Sequence, residues 1–407
     1  MMTIYGGFYH EECIFPEWSQ IYGSAGRAAA ILSNFSDNIT LNTFCTTTEY
    51  LEFFSNAYKI NYIHNPSTTD ITFKYFHTFS KPEIIYNSQI DLQKSSFIEI
   101  EDDIVICYGT LESDAPLIKA KYGIFDFQSS KLFELFSEKN SIENIAFILN
   151  YEEAKYISLK STVEDIQKYF FSSVENLQIL IIKDGPFGGY ACTKSEVINL
   201  PVYRNKFIFK IGTGDIFTSI FGYFWAINEI NKMPLTQIVD YASFSTAFYT
   251  ENYKSQYKNS FLDFYEKKPY DRLLLNRKQF KNKVYLAGPF FNTSQRWQIE
   301  DSKVQLEKLG FDVFSPIHDV GIGETEDIAQ KDLEGLDWAD SVFAVLNGYD
   351  PGTVFEIGYA IAKGKRVVLF SEQKDEVNLT MFKGSGCLLY DDITTALYNL
   401  VWLVTSK

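Results

Sequence analysis

A glutamate stands six residues after an aspartate in the run Asp350-Pro351-Gly352-Thr353-Val354-Phe355-Glu356-Ile357-Gly358-Tyr359-Ala360. Pro351-Gly352 supplies a tight turn and Thr353 an oxygen suited to a helix N-cap. A helix is therefore expected to begin there and to bury Val354, Ile357 and Ala360 against a sheet. Glu356 would lie in its first turn, where the helix dipole holds a carboxylate anionic. A carboxylate so placed and facing a cleft suits nucleophilic attack on a sugar carbon of oxocarbenium character. Gly358 would let the helix pack closely on a strand. Upstream, Asp332-Leu333-Glu334-Gly335-Leu336 supplies a further acid. The strand-like Val284-Tyr285-Leu286-Ala287 runs into Gly288-Pro289-Phe290-Phe291, a turn at the carboxyl edge where α/β folds place ligands.

A second constellation lies nearer the N-terminus. Gly212-Thr213-Gly214-Asp215 opens the apolar stretch Ile216–Ile230. The two glycines let successive N–H groups converge at a helix N-terminus as an anion pocket, and Asp215 is placed to accept a hydroxyl proton. That is what phosphoryl transfer to an alcohol needs. Ahead of it come Gly23-Ser24-Ala25-Gly26-Arg27-Ala28-Ala29, then Asn150-Tyr151-Glu152-Glu153, and then the glycine-rich turn Lys183-Asp184-Gly185-Pro186-Phe187-Gly188-Gly189. The four histidines, His10, His64, His77 and His318, have no metal-ligand spacing.

The elements that must position these groups alternate: short β-branched or aromatic runs, each followed by a stretch able to form a helix, predict α/β architecture with mainly parallel sheets. The clearest strands are Asp103–Tyr108, Ile145–Leu149, Leu177–Ile182, Val284–Ala287, Asp312–Ser315, Val342–Leu346 and Arg366–Phe370, and Gln295–Leu309 reads as a helix stopped by Gly310. A chain of 407 residues, 46% hydrophobic, is long enough for two cores. The polar, basic segment around Pro269 sets the expected boundaries: a first domain over 1–268, a linker over 269–282 and a second domain over 283–407.

A net charge of -15 disfavours nonspecific binding of nucleic acid or membrane, leaving small nucleosides and nucleotides as the expected partners. Cys13, Cys45, Cys107, Cys192 and Cys387 form no C-x-x-C pair, and the N-terminus shows no basic segment followed by an apolar core. The cytoplasm is the expected compartment.

In order and spacing, Val284–Phe291, Asp332-Leu-x-Gly-Leu and Asp350-x-Gly-Thr-x-x-Glu356-x-Gly-x-Ala resemble the nucleoside 2-deoxyribosyltransferase family over residues 283–390. The resemblance implies a flavodoxin-like parallel sheet and a covalent deoxyribosyl intermediate on Glu356, oriented by Tyr285 and resolved by a second base or water. It implies that Asp332 and Asp350 contact the base and manage its proton, with Gly288 and Gly352 in the substrate pocket. Asn378 would reach the sugar 5′-hydroxyl in the adjacent subunit's site, hence a homo-oligomer.

Residues 1–265 resemble the ribokinase-like carbohydrate and nucleoside kinase family, an α/β sandwich with a small lid. By that resemblance Asp215 is the catalytic base and the amides of Gly212, Thr213 and Gly214 form the anion hole. Asn150 and Glu153 would organise Mg2+ and phosphate, and Lys183, Gly185 and Gly188 would line an ATP site. Two positions depart from the family pattern: Phe209 stands where an acid is usual, and Arg27 where an asparagine is usual. The whole reads as a bifunctional enzyme, one half acting at the glycosidic bond and the other phosphorylating a sugar or nucleoside hydroxyl. The alternative is a nucleotide-sensing kinase-like half that gates a glycosidase depleting deoxynucleotides or NAD.

Overall fold

The computed structural model describes residues 1–87, 98–128, 133, 136, 140–228, 232–253, 264–267, 269–321, 325–373 and 376–405. The chain forms two compact units, Met1–Asn205 with Phe209–Leu274, and Lys206–Ile208 with Leu275–Lys407.

In the first unit β1 (Met2–Tyr5) lies third from one edge of a nine-stranded sheet, flanked by β4 (Ile39–Cys45) and β8 (Glu99–Tyr108). The sheet continues on one side to β5 (Asn61–Pro66), and on the other through β9 (Leu117–Asp126), β10 (Ser141–Asn150) and β11 (Leu177–Lys183). All these pairings are parallel, and β12 (Gly189–Cys192) and β13 (Val197–Leu200) close the edge antiparallel. Ile145–Leu149 is buried without interruption, as a parallel strand covered on both faces requires. A separate four-stranded sheet, ordered β3-β2-β6-β7, comprises β2 (His10–Phe15), β3 (Trp18–Ile21), β6 (Ile71–His77) and β7 (Glu83–Tyr86).

The segment expected as linker carries structure of its own. Asp271–Leu273 (β15) pairs antiparallel with Val202–Arg204 (β14), so the first unit extends to Leu274.

The second unit holds a five-stranded, all-parallel sheet of β16 (Lys283–Ala287), β17 (Asp312–Phe314), β18 (Ser341–Val345), β19 (Arg366–Phe370) and β20 (Leu388–Tyr390), ordered β17-β16-β18-β19-β20. The order reverses between β16 and β18, and in such sheets ligands bind outside the carboxyl ends of the strands at that point. Val342, Phe343, Ala344 and Leu369 are fully buried, each of the larger ones contributing about 1.5–3 kcal/mol of burial. The helix Thr293–Lys308 starts on the Asn292 side chain, which accepts from the Gln295 amide, and ends at Gly310, whose φ of 91° reverses the chain. Every strand expected in this unit is present, to within a residue at its ends.

Candidate active site

Tyr285 projects from β16, and its buried hydroxyl donates to Glu356 Oε1 at 2.6 Å. Burial, together with the negative charge of Glu356, pushes the Tyr285 phenol far above its usual range. Glu356 lies on the helix Pro351–Ala362, which begins earlier than expected: Asp350, not Thr353, is the N-cap, its Oδ2 accepting from the Thr353 amide at 2.8 Å and the Thr353 hydroxyl at 3.0 Å. Glu356 therefore occupies the second turn. Withdrawal from water raises its carboxyl to about 7, opposed by the Tyr285 hydrogen bond and reinforced by the charges of Asp332 and Asp350. The expectation of a carboxylate held anionic by the dipole is thus corrected: the dipole acts mainly within the first turn, and burial beside two acids outweighs it.

Two packing expectations change as well. Ile357 and Ala360 are buried, but Val354 is 37% exposed, at the edge of the helix face that meets the sheet. A side chain at Gly358 would meet open space, so that glycine is not required for close packing.

Asp332 lies inside the helix Thr325–Trp338. Its Oδ1 is buried without a hydrogen-bond partner, and burial raises its pKa. A buried unsatisfied carboxylate oxygen is costly, and a ligand donor would relieve that cost. Gly288 is fixed by close approach: a Cβ there would lie 2.6 Å from Ile299 Cδ1 and 3.0 Å from Val345 Cβ. Gly352 lies exposed in the first helical turn. Asn378 falls within the helix Glu376–Gly384, with its side chain outside the described residues.

In the first unit, the helix Thr213–Ala226 follows Gly212, whose φ of 79° suits glycine. Asp215 is buried at its amino end, where the anion-pocket pattern placed it. Its Oδ2 accepts from Arg27 Nη1 at 2.5 Å and its Oδ1 from Gln128 Nε2 at 3.1 Å. Arg27, 2% exposed, also donates to Glu11 Oε2, and it lies so close to Gly212 that any Cβ there would overlap it. Burial raises the pKa of both Asp215 and Glu11 despite the shared guanidinium.

Lys183 donates to Asp126 Oδ2 at 2.6 Å, and Thr218 to the same oxygen at 2.7 Å. Burial alone would lower the Lys183 pKa, but Asp126 together with the charges of Glu153 and Asp215 makes the net shift upward. Asn150 and Glu153 form a reciprocal capping box on the helix Tyr151–Ser158. Gly185 and Gly188, at φ 51° and 84°, shape the turn after β11. Phe209 is fully buried and stacks on Tyr253 at 3.9 Å.

The sequence reading overlooked Asp126, Gln128 and Glu112. Asp126 was detectable as an acid ending the apolar run Tyr122-Gly-Ile-Phe of β9. Glu112 is buried, accepts from Tyr9 at 2.6 Å, and borders a cavity of about 300 Å3 with Phe8, Tyr9, Phe44, Tyr50 and Asn87. Nothing in its surroundings in sequence marked it.

Residues 284–391 match the family model for nucleoside 2-deoxyribosyltransferase. The chain is similar to a 2-deoxyribosyltransferase from Bacillus psychrosaccharolyticus, with 36% identity, covering 28% of this chain and 88% of that one, at a TM-score of 0.25. It is similar to a ribokinase from Thermotoga maritima, with 15% identity over 66% of this chain and 99% of that one and a TM-score of 0.46. Phosphofructokinase-2 from Escherichia coli gives 11%, 66%, 98% and 0.47 for the same quantities. No curated protein matches. The C-terminal unit is thus a domain of the nucleoside 2-deoxyribosyltransferase family, while the N-terminal unit is an α/β unit built on a mainly parallel nine-stranded sheet. Among the described residues, no helix is long and apolar enough to cross a membrane.

Proposed function

We propose that the C-terminal unit cleaves the N-glycosidic bond of a 2′-deoxynucleoside or its phosphate through a covalent sugar–Glu356 ester. The observation that carries this is the 2.6 Å Tyr285–Glu356 pair beside Asp332, whose Oδ1 lacks a partner, inside the stretch that matches the family. The Glu356 carboxylate attacks C1′ while the C1′–N bond breaks and its electron pair passes to the base. Asp332, its pKa raised by burial, is suited to carry a proton to the departing nitrogen. Attack by water, or by the nitrogen of a second base, then breaks the ester and returns Glu356. Asp350 contributes by fixing the start of the helix through Thr353, and its negative charge helps to raise the Glu356 pKa.

The working form is proposed to be a homo-oligomer in which Asn378 completes a neighbour's site. Incubation with a panel of 2′-deoxynucleosides, their monophosphates and NAD, with free base read by chromatography, tests the reaction. If none of these releases base, the reading fails.

The N-terminal unit supports two readings. The first is ATP-dependent phosphorylation of a sugar or nucleoside hydroxyl with Asp215 as base and the amides of Gly212, Thr213 and Gly214 as the anion hole at a helix N-terminus, the Thr213 amide exchanging its bond to the Lys210 carbonyl for one to phosphate. Mg2+ carried in with the nucleotide phosphates needs only one or two protein ligands, and Asn150 and Glu153, which cap each other at the start of the helix Tyr151–Ser158, are the residues that would organise it. The second reading is a domain that binds a nucleotide without transferring phosphate and whose ligand state sets the glycosidase rate. Arg27 favours it: its guanidinium engages the oxygen that would take a substrate proton and lies against Gly212, where an acceptor would approach.

Calorimetry with ATP, alongside a search for phosphate transfer to sugars and nucleosides, separates the two. Binding without transfer supports sensing. Transfer that is lost in Asp215→Asn supports a kinase, and absence of ATP binding removes both.

A further inference from the structure

We propose that Phe314 and Gly335 are positioning residues for the Tyr285–Glu356 pair: the Phe314 ring, seated where Gly335 leaves room, fixes the Tyr285 ring and through it the aim of the Glu356 carboxylate. The catalytic meaning of this proposal rests on the glycosidase reading. Its physical content is the placement of one phenol.

Phe314 is the register partner of Tyr285 across the parallel β16–β17 pair, so the two side chains leave the same face of the sheet side by side. Their rings stack with centroids 5.5 Å apart and an interplanar angle of 15°. Trp338 flanks Phe314 at 6.4 Å and is itself met by the Lys283 ammonium at 5.2 Å. Gly335 lies on the helix that also carries Asp332 and Trp338, three residues from each and thus on their face. It is buried, and a Cβ there would overlap Cε1 of the Phe314 ring, with Cζ 2.5 Å and Cδ1 2.6 Å away. The ring would have to move, and in a close-packed interior its displacement passes to the next ring. The next ring is Tyr285, whose hydroxyl donates to Glu356. A hydrogen bond to a carboxylate is short and sensitive to distance and angle, so a small tilt of Tyr285 weakens the one contact that opposes the upward shift of Glu356.

The test uses Gly335→Ala and Phe314→Leu in the full-length protein, with Tyr285→Phe as the comparator. Alanine favours a helix over glycine, so Gly335→Ala does not threaten the helix itself. Leucine at 314 keeps an apolar side chain there without a stacking ring. The readout is the 13C carboxyl titration of Glu356, identified by its loss in Glu356→Gln. Because Tyr285 donates to the ionised form, all three variants should raise the midpoint, by roughly half a unit or more. In a Tyr285→Phe background neither Gly335→Ala nor Phe314→Leu should add to the shift. The acidic limb of base release should move in parallel.

Folded variants with an unmoved midpoint, or with a shift that adds to that of Tyr285→Phe, overturn the proposal. Midpoints that shift as expected in a protein releasing no base from any substrate would sink the glycosidase reading and leave the positioning role standing. Base release with unmoved midpoints would do the reverse.

Discussion

Glu356 and Asp215 are both acids near the start of a helix that follows a glycine-containing turn, yet their surroundings differ. Glu356 keeps company with acids and one phenol: Tyr285 donates to its carboxylate, and Asp332 nearby has a buried oxygen without a partner. Asp215 is closed in, with one oxygen on Arg27, the other on Gln128, and a second carboxylate, Glu11, sharing the guanidinium. A cluster of acids with a partnerless buried oxygen is a mark of chemistry, whereas a carboxylate bonded at both oxygens within a buried ion triad is a mark of structure. One turn-and-helix motif therefore predicts a place for an acid, and the neighbours decide its work.

The sharpest way to break this contrast is substitution at both acids. Glu356→Ala is expected to lower base release by at least on the order of 10³-fold, and Asp215→Asn to leave it within about twofold, since the sensing reading assigns Asp215 no chemistry. Equal losses from the two substitutions, measured by base chromatography, would erase the distinction. The triad makes a separate claim on stability. Arg27→Met strands two buried carboxylates and should destabilise the first unit by about 3–5 kcal/mol in denaturant titration. A change near zero would mean that the triad is not the closed structural feature described.

A third expectation is the pH profile. With its pKa at about 7, Glu356 is mostly protonated at pH 5.5, and base release there should be roughly 30-fold below its value at pH 8. A flat profile between those values would contradict a carboxylate nucleophile with that pKa. The same shift has a stability sign. Between the ordinary carboxyl range and about 7 the folded protein binds more protons at this site than the unfolded chain does, so stability falls as pH rises. Glu356→Gln should therefore stabilise the protein more at pH 8 than at pH 5, as read by thermal unfolding. The smallest effect belongs to Asn378→Ala: loss of one neutral hydrogen bond, about 0.5–1.5 kcal/mol, should slow turnover up to about tenfold. Partial recovery on mixing inactive Glu356→Ala and Asn378→Trp proteins would show that sites are shared between subunits.

Sequence made the second unit more legible than the first. Its strands are continuous apolar runs ending in turns, and Glu356, Asp350 and Asp332 share one ordered motif set, so their approach in space followed from topology. The start of the Glu356 helix was misjudged because Asp350 and Thr353 are both good caps, and only geometry shows which oxygen accepts from which amide. In the first unit, Arg27 was visible as a departure, but its bonds to Glu11 and Asp215 span 16 and 188 residues, and no local pattern records such distances. Asn150 and Glu153 show the opposite failing. Their spacing is that of a capping box, and the local reading would have sufficed.

The most direct test of the central claim is to quench the protein during turnover of a 2′-deoxynucleoside that it cleaves and to measure its mass. The account predicts a deoxyribosyl adduct on a peptide containing Glu356, formed with release of the base, lost on longer incubation with water or a second base, and absent from Glu356→Ala. Base release with no adduct at any quench time, persisting in Glu356→Ala, would contradict it.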